Sequence, residues 1–385
     1  MIFNIKDLIK SVFTRPIINI YNTHFKKNIL ISYITYPFRE YKKNNYIRHT
    51  NYQESKIIAE IFRKEKFNVD IYDYNYSGKL DYKKYEVIFG FGDPLCKSFY
   101  NRKNNIITIY YGTGMHVCVQ NTNTLKRIKE VYKKKGVWIP ESGRIVEKNW
   151  GIQTTLVDAI ITLGNNSVLK SYSKYYDGPI YILPVTFYDI IDNKIIENMI
   201  NIKNYEKAKY NFLWFGGSGL IHKGLDLLLE LFINKPHWNL HICGPVKNEK
   251  NFVKAYYNEL YNYPNIHTYD KINLKSSFFK NLMNECLFVV FPSCSEGGGA
   301  SVINVMANGL IPIVTKESSV NIDDFGYSIN GFDILSIENS IEIALETHKD
   351  DLRQRSFKSY IYTRKNHSKF VYKKKLEAYL RKILI

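Results

Sequence analysis

The chain has 385 residues, of which 45% are hydrophobic and 23% charged, as in an ordinary globular protein long enough for two domains. No apolar run approaches the roughly 18 residues needed to span a bilayer, so we expect no membrane-spanning helix. The formal charge of +18 indicates an acidic partner: a nucleic acid, an anionic membrane surface or an acidic substrate. A lysine-rich genome would also raise this charge, so charge alone does not choose between them.

The five cysteines form no CxxC pair and no His/Cys spacing suited to zinc. Together with the lack of a signal-peptide pattern, this predicts a protein of the cytoplasm. Residues 1–27 place Ile5, Leu8, Ile9 and Val12 at helical spacing between basic residues. Two interpretations remain open for this segment: an interfacial helix on anionic lipid, or an amphipathic helix packed on the first domain.

Strands and helices then alternate, which predicts a mostly parallel sheet with helices on both faces, a domain over 1–190. The predicted strands lie at 28–36, 68–74, 85–92, 105–114, 158–164 and 179–184, and the predicted helices at 52–66 and 124–135.

A polar stretch from Asp189 to Lys209 is predicted to connect the domains, and a second alternating series follows over 205–350. Its strands are predicted at 210–217, 238–244 and 265–270, and its helices at 223–234, 251–261 and 275–284. Residues 356–385 read as one or two basic amphipathic helices. The fold class is therefore α/β, with two doubly wound Rossmann-like domains facing a central cleft.

Two glycine-rich loops carry the chemistry. In FLWFGGSGLIHKGLDLLLE (212–230), Gly216, Gly217 and Gly219 let a ligand approach the backbone, and Lys223 begins a helix where its ammonium favours an anion. Residues 286–315 read as strand, loop, helix and strand, and Glu296 heads their loop. Such a unit suits a nucleotide or a sugar phosphate. Alternatively, the first loop is a turn with a solvated lysine, and Glu296 is a carboxylate at a helix start.

In this order, GGSGLIHKGLDLLLE and SEGGGASVINVMANGLIPIVT resemble the retaining glycosyltransferases of the GT-B fold, the family-four group called glycosyl transferases group 1. The resemblance is strong over about 210–320 and looser before it. It implies that the C-terminal helices, residues 355–385, pack back on the N-terminal domain. It implies that Lys223 binds the donor diphosphate and that Glu296 lies by the donor sugar. The donor-binding residues it implies are Gly216, Gly217, Ser218, Lys223, Gly298, Gly299, Ala300, Ser301 and Asn304.

This chain departs from the family pattern at two places. Ser218 stands where the family usually has an arginine, and Asn304 stands where a second glutamate holds the ribose hydroxyls. An amide still hydrogen-bonds a diol but carries no charge. Both departures bear on donor affinity and nucleotide identity, and they leave a non-catalytic relative open.

His116 follows a predicted strand and a Gly-Thr-Gly turn, so we expect it to project towards the cleft. The resemblance gives it, with Glu296 and Lys223, a place near the reacting sugar, where it orients groups by hydrogen bonding. A histidine satisfied within its own loop is the alternative. Arg39, Arg48 and His49 follow the first strand in a basic aromatic loop and are predicted to bind the acceptor, although a solvated connection is the plainer interpretation.

The resemblance implies a metal-independent enzyme, without cofactor, that moves a sugar from a nucleotide-diphosphate donor to a glycan or lipid-linked acceptor. No D-x-D motif occurs, which is consistent with a metal-independent mechanism. We expect a role in surface polysaccharide synthesis at the inner face of the cytoplasmic membrane, with basic segments on anionic lipid and no nucleic-acid partner. The alternatives are a non-catalytic partner subunit, a nucleotide-sugar epimerase on the same fold, and a basic nucleic-acid-binding protein.

Overall fold

The computed structural model of the chain describes residues 15–39, 49–101 and 105–384. Within these residues the chain forms two six-stranded sheets, and neighbouring strands in both sheets are parallel. The strands are β1 Lys27–Tyr33, β2 Phe67–Asp73, β3 Val87–Gly90, β4 Ile107–Gly112, β5 Ala159–Leu163, β6 Ile180–Leu183, β7 Asn211–Phe215, β8 Asn239–Cys243, β9 Ile266–Thr268, β10 Phe288–Phe291, β11 Ile311–Thr315 and β12 Tyr327–Ile329.

Helices connect these strands and cover both sheets, as crossovers between parallel strands require. They are α1 Asn51–Lys64, α2 Asp93–Asn101, α3 Val117–Lys135, α4 Trp150–Gln153, α5 Asn166–Tyr172, α6 Asn193–Ile202, α7 Tyr205–Ala208, α8 Leu225–Phe232, α9 Lys250–Ala255, α10 Tyr257–Tyr261, α11 Ser277–Glu285, α12 Ala300–Met306, α13 Ile334–Glu346, α14 Lys349–Asn366 and α15 Lys369–Ile383. The predicted α/β fold class, with two Rossmann-like domains, is confirmed.

Strand order determines where a ligand can reach each sheet. The first sheet has the order β2-β1-β3-β4-β5-β6, so the chain changes direction between β1 and β3. The second has the order β12-β11-β10-β7-β8-β9, with the change between β7 and β10. Loops at such a switch point diverge and leave a crevice at the carboxyl edge. The two glycine-rich loops follow β7 and β10, so they lie together at the crevice of the second sheet.

Several elements differ from their predicted bounds. The segment 189–209, predicted as a polar connection, contains α6 and α7, because Ile196, Met199 and Ile200 form a buried stripe at helical spacing. The helix predicted at 251–261 is two helices that meet at Tyr256. The helix predicted from 124 begins at Val117. The proposed amphipathic face of Ile5 to Val12 lies outside the described residues.

The last two helices contact different sheets. On α14, the Ser356 and Ser359 hydroxyls donate to the Gly309 and Leu310 carbonyls beside β11. On α15, Tyr372 shares a hydrogen bond of 2.9 Å with the hydroxyl of Tyr111 on β4. The chain therefore returns to the first sheet after completing the second.

His367, at the junction of these two helices, hydrogen-bonds the Val185 carbonyl through Nδ1 over 2.9 Å. A carbonyl only accepts, so Nδ1 carries the proton. Burial lowers the pKa of His367 to about 4. The ring therefore folds in its neutral form and resists protonation in the folded chain.

This buried histidine predicts a loss of stability in acid. An unfolded histidine takes up a proton near pH 6.5, whereas folded His367 does so only near 4. Stability therefore falls as pH drops between these values, by about 2 kcal/mol at roughly pH 5 from this residue. We expect His367→Asn to reduce the fall in melting temperature from pH 7 to 5. Exposed His237→Asn is the control, and an unchanged fall in His367→Asn would contradict the prediction.

Candidate functional site

The centre of the site is an ion pair between the two glycine-rich loops. The Lys223 ammonium hydrogen-bonds Glu296 Oε1, and both side chains are largely buried. Ser293 donates its hydroxyl to the same oxygen over 3.0 Å. Although burial disfavours its charge, Lys223 and Arg144 lower the pKa of Glu296 to about 2. Glu296 is therefore a permanent carboxylate and a hydrogen-bond acceptor, not a proton donor, at neutral pH.

A neutral histidine, His222, holds the loop that carries Glu296 in place. His222 Nε2 lies 2.5 Å from the Ser295 carbonyl, which only accepts, so Nε2 carries the proton and Nδ1 accepts from the Thr124 hydroxyl over 2.8 Å. Burial lowers the pKa of His222 to about 3. The ring thus fixes the loop that carries Glu296 to α3 of the first domain without adding charge.

Arg144 brings a second cation from the first domain. Its guanidinium Nη1 lies 3.7 Å from Glu296 Oε2, and its side chain is about half exposed. Together with Ser295, Glu296 and Gly297, it lines a cavity of about 80 Å³ at the carboxyl edge of the first sheet. Ser295 Oγ is buried there without a hydrogen-bond partner among the described residues. The cavity therefore offers a carboxylate, a guanidinium and a free hydroxyl to one ligand.

The glycines after Glu296 bring the domains together. A Cβ on Gly297 would lie 2.4 Å from the Thr113 carbonyl oxygen, and one on Gly298 would lie 3.0 Å from the Cα of Gly164. The first distance is shorter than real Cβ contacts allow, and the second is tighter than nine in ten of them. These two glycines therefore permit backbone-to-backbone contact across the cleft, a role that the sequence pattern did not suggest.

The first glycine loop is open at Gly217 and Ser218 and closed further along the chain. A Cβ on Gly217 would meet nothing within 4 Å, and Ser218 beside it is exposed. Further on, the amides of Gly219 and Leu220 donate to the buried Glu249 carboxylate over 2.5 and 3.1 Å. Glu249 thus takes the amide of Gly219, one of the glycines expected to let a ligand approach the backbone, and that of its neighbour Leu220.

Asn304 is engaged within the protein. Its Oδ1 accepts from the Tyr188 amide over 2.9 Å, and its Nδ2 donates to the Ala300 carbonyl over 2.7 Å. Asn304 is buried. Through Tyr188 its side chain links α12 to the segment that leaves the first sheet after β6. Ala300 and Ser301 form the first turn of that helix, directly after Gly298 and Gly299.

His116 does not project into the cleft as expected. Its ring is buried, caps α3 by accepting from the Cys118 amide over 3.3 Å, and stacks on Tyr175. The Thr154 hydroxyl donates its proton to the Gly151 carbonyl. The hydroxyl oxygen of Thr154 therefore accepts from His116 Nε2 over 3.0 Å. Both ring nitrogens therefore have partners within the protein. Nδ1 is engaged because α3 begins earlier than predicted and His116 caps its first turn.

The predicted acceptor loop is only partly described. Arg48 lies outside the described residues. Arg39 donates to the Arg15 carbonyl on the first domain. His49 lies near the ion pair: desolvation and then the charge of Arg144 lower its pKa, and Lys223 and Glu296 also act on it, while its side chain keeps an exposed surface. Of the two predicted acceptor residues that the structure describes, His49 is the one that lies towards Glu296.

The part of the chain that contains the site is similar to a known protein family. Residues 198–358 match the sequence model of a family described as glycosyl transferases group 1. The matched residues contain both glycine-rich loops and the Lys223–Glu296 pair. No curated protein gave a significant match to the chain.

Solved structures show the same two-domain GT-B fold. Sucrose-phosphate synthase from Thermosynechococcus elongatus aligns with a TM-score of 0.61 at 12% identity, over 93% of this chain and 99% of that one. HepE from Anabaena, solved with UDP and glucose, aligns at 0.56 and 10% identity, over 93% and 100%. TarM from S. aureus aligns at 0.51 and 17%, over 77% of this chain and 55% of its own length, so the chain spans about half of TarM.

The fold is therefore the GT-B fold, and residues 198–358 are similar to the glycosyl transferases group 1 family. Sequence reasoning found Lys223 and Glu296 but missed Arg144, Glu249 and His222. The neighbouring lysine was a local signal for His222, but nothing in the local sequence marks Arg144 or Glu249. Within the described residues, no group of three or more His, Cys, Asp or Glu side chains is arranged to hold a metal ion. None of the described helices is long and apolar enough to cross a membrane.

The buried Glu249 carboxylate predicts a cost for its removal. Glu249→Ala leaves the Gly219 and Leu220 amides unpaired in a buried turn, and we expect a loss of about 2 kcal/mol in the free energy of unfolding. Urea denaturation measures this loss. Glu346→Ala, at an exposed helix end, is the control and should change stability little; equal midpoints for both variants would refute the role of Glu249.

Proposed function

We propose that the chain is a retaining glycosyltransferase that moves a sugar from a nucleotide-diphosphate donor to a glycan or lipid-linked acceptor. The observation that carries the proposal is the Lys223–Glu296 pair at the switch point of the second sheet, where it faces the first domain. HepE, which shares the fold, was solved with UDP. A donor bound across the two glycine-rich loops would place its diphosphate by Lys223 and its sugar by Glu296.

Each residue then has a role suited to its charge. The Lys223 ammonium stabilises negative charge on the leaving diphosphate, and the Glu296 carboxylate accepts hydrogen bonds from sugar hydroxyls. In a retaining reaction the acceptor hydroxyl attacks on the face that the diphosphate leaves, and a phosphate oxygen takes the acceptor proton. His116, buried with both nitrogens engaged, acts by holding the 113–116 turn, not by transferring a proton.

The lysine and the loop amides supply positive charge at the diphosphate in this proposal, so we propose a reaction that needs no metal ion. We place the enzyme in surface polysaccharide synthesis at the inner face of the cytoplasmic membrane.

A non-catalytic partner subunit is the second candidate. The engagement of Asn304 by Tyr188 and Ala300 favours that candidate, because it removes a group expected to hold the ribose.

The donor assignment predicts selective stabilisation by a nucleotide. We expect one of UDP, GDP or ADP to raise the melting temperature of the wild-type chain, and Lys223→Ala to lose at least tenfold in affinity, since it removes a charged hydrogen bond. Lys254→Ala, an exposed lysine on α9, is the control. Stabilisation unchanged in Lys223→Ala would overturn the assignment; no stabilisation of the wild type would favour the non-catalytic candidate.

Activity separates the two candidates further. With the stabilising nucleotide as its sugar conjugate, we expect Glu296→Gln to lose roughly a hundredfold in kcat/KM, as expected when a charged group acting on the transition state becomes neutral. Activity that persists in excess EDTA would agree with a metal-independent reaction. Loss of activity in EDTA, restored by a divalent ion, would contradict that part of the proposal.

We further propose that a surface formed by the last turns of α3 and the residues directly after it rests on anionic lipid. Trp138 and Tyr132 pack edge to face and are 62% and 51% exposed, with exposed Lys129 and Lys133 beside them. Exposed aromatic rings among lysines are suited to the membrane interface, where rings sit at the headgroups and ammonium groups meet lipid phosphates.

This surface predicts binding to charged vesicles. We expect the chain to sediment with phosphatidylserine-containing vesicles but not with phosphatidylcholine alone, and Trp138→Ala to reduce binding roughly threefold or more. Tyr257→Ala removes an exposed ring elsewhere and is the control. Equal sedimentation of Trp138→Ala and wild type would exclude this surface.

A further inference from the structure

The diphosphate site is short of positive charge within its own domain. Ser218 is neutral, and the Gly219 and Leu220 amides already donate to Glu249. Lys223 is a cation that the second domain places there, and Glu296 neutralises it. A nucleoside diphosphate carries at least two negative charges near neutral pH, so one neutralised lysine is a poor match.

Arg144 lies where the missing charge is needed. A Cβ added to Gly219 would lie 2.7 Å from Arg144 Cγ, so the arginine stem crosses directly over the first glycine loop, next to Ser218. Its guanidinium reaches Glu296 on the second loop. One side chain of the first domain thus spans both glycine-rich loops of the second.

The backbone around Arg144 is held firmly. Gln120 on α3 donates to the Arg144 carbonyl over 2.6 Å. Asn121, the next residue, donates to the Val146 carbonyl over 2.8 Å and accepts from the Val146 amide over 2.9 Å. Its position over the loop is therefore a built feature of the fold.

The side chain, by contrast, has room to change partner. It is about half exposed, and its 3.7 Å approach to Glu296 is an electrostatic contact longer than a hydrogen bond. Guanidinium presents five N–H donors in a planar fork that matches phosphate oxygens. An incoming diphosphate would offer closer and more strongly charged partners than Glu296 does.

We propose that Arg144 is a diphosphate-binding residue of the donor site, supplied by the first domain to a site that otherwise belongs to the second. This inference rests on the proposed function. Arg144 and Lys223 hold the diphosphate from opposite sides of the cleft, so the donor binds tightly only when both domains are in contact. Ser218 needs no charge because Arg144 provides it.

The test measures UDP, GDP and ADP binding by calorimetry in the wild type and in Arg144→Ala. For the nucleotide that binds, we expect roughly tenfold to hundredfold weaker binding in the variant and a smaller effect on the matching monophosphate, since a charge-assisted contact is lost. Lys148→Ala, an exposed cation of the same segment, is the matched control. The melting temperature without ligand should be nearly the same for all three proteins, which shows that the variant folds.

A rescue variant separates a charge contact from a structural role. In Arg144→Ala/Ser218→Arg the new guanidinium starts from the adjacent loop position, and we expect it to recover at least part of the lost affinity. If the wild type binds a nucleotide and Arg144→Ala binds it equally well, the inference is wrong while the proposed function stands. If the wild type binds none of the three, the proposed function and this inference fail together.

Discussion

The buried pair of Lys223 and Glu296 is the interaction on which the cleft depends. Neither side chain tolerates burial alone, because removing one partner leaves an uncompensated charge away from water. Each comes from a different loop of the second sheet, so the pair ties the end of β7 to the end of β10. The remaining groups of the site are arranged around it: a hydroxyl from Ser293, a neutral ring from His222 and a guanidinium from Arg144.

The two domains meet through contacts of very different kinds. At the cleft, Gly297 and Gly298 let backbones touch. Along α3, the contact is ionic: Arg127 pairs with Asp226 in a buried position, and Lys134 pairs with Glu230 over 2.9 Å. Arg127 Nε and Asp226 Oδ1 are buried without hydrogen bonds among the described residues. The helix that begins at the cavity therefore also carries charged contacts to the second domain.

Local chemistry was readable from the sequence, and contacts between distant segments were not. The two glycine-rich loops were predicted because each follows an apolar strand and places its glycines near a charged residue, Lys223 in the first loop and Glu296 in the second. The close approach of Thr113 to Gly297 cannot be predicted without knowing how the two domains pack against each other. Arg144 and Glu249 reach the loops from other elements, and no short pattern surrounds them. For His116, the position after a strand was read correctly, but the need of α3 for a cap decided its orientation.

The return of α15 to the first sheet has a consequence for how the chain is made. Tyr372 meets Tyr111, and Tyr379 donates to the Ile182 carbonyl, so the first domain is built from two ends of the chain. The second domain lies between them in sequence, as an insertion. On a ribosome, domains tend to fold in the order in which they emerge. During synthesis the second sheet can therefore be complete before α15, which packs on the first sheet, has emerged.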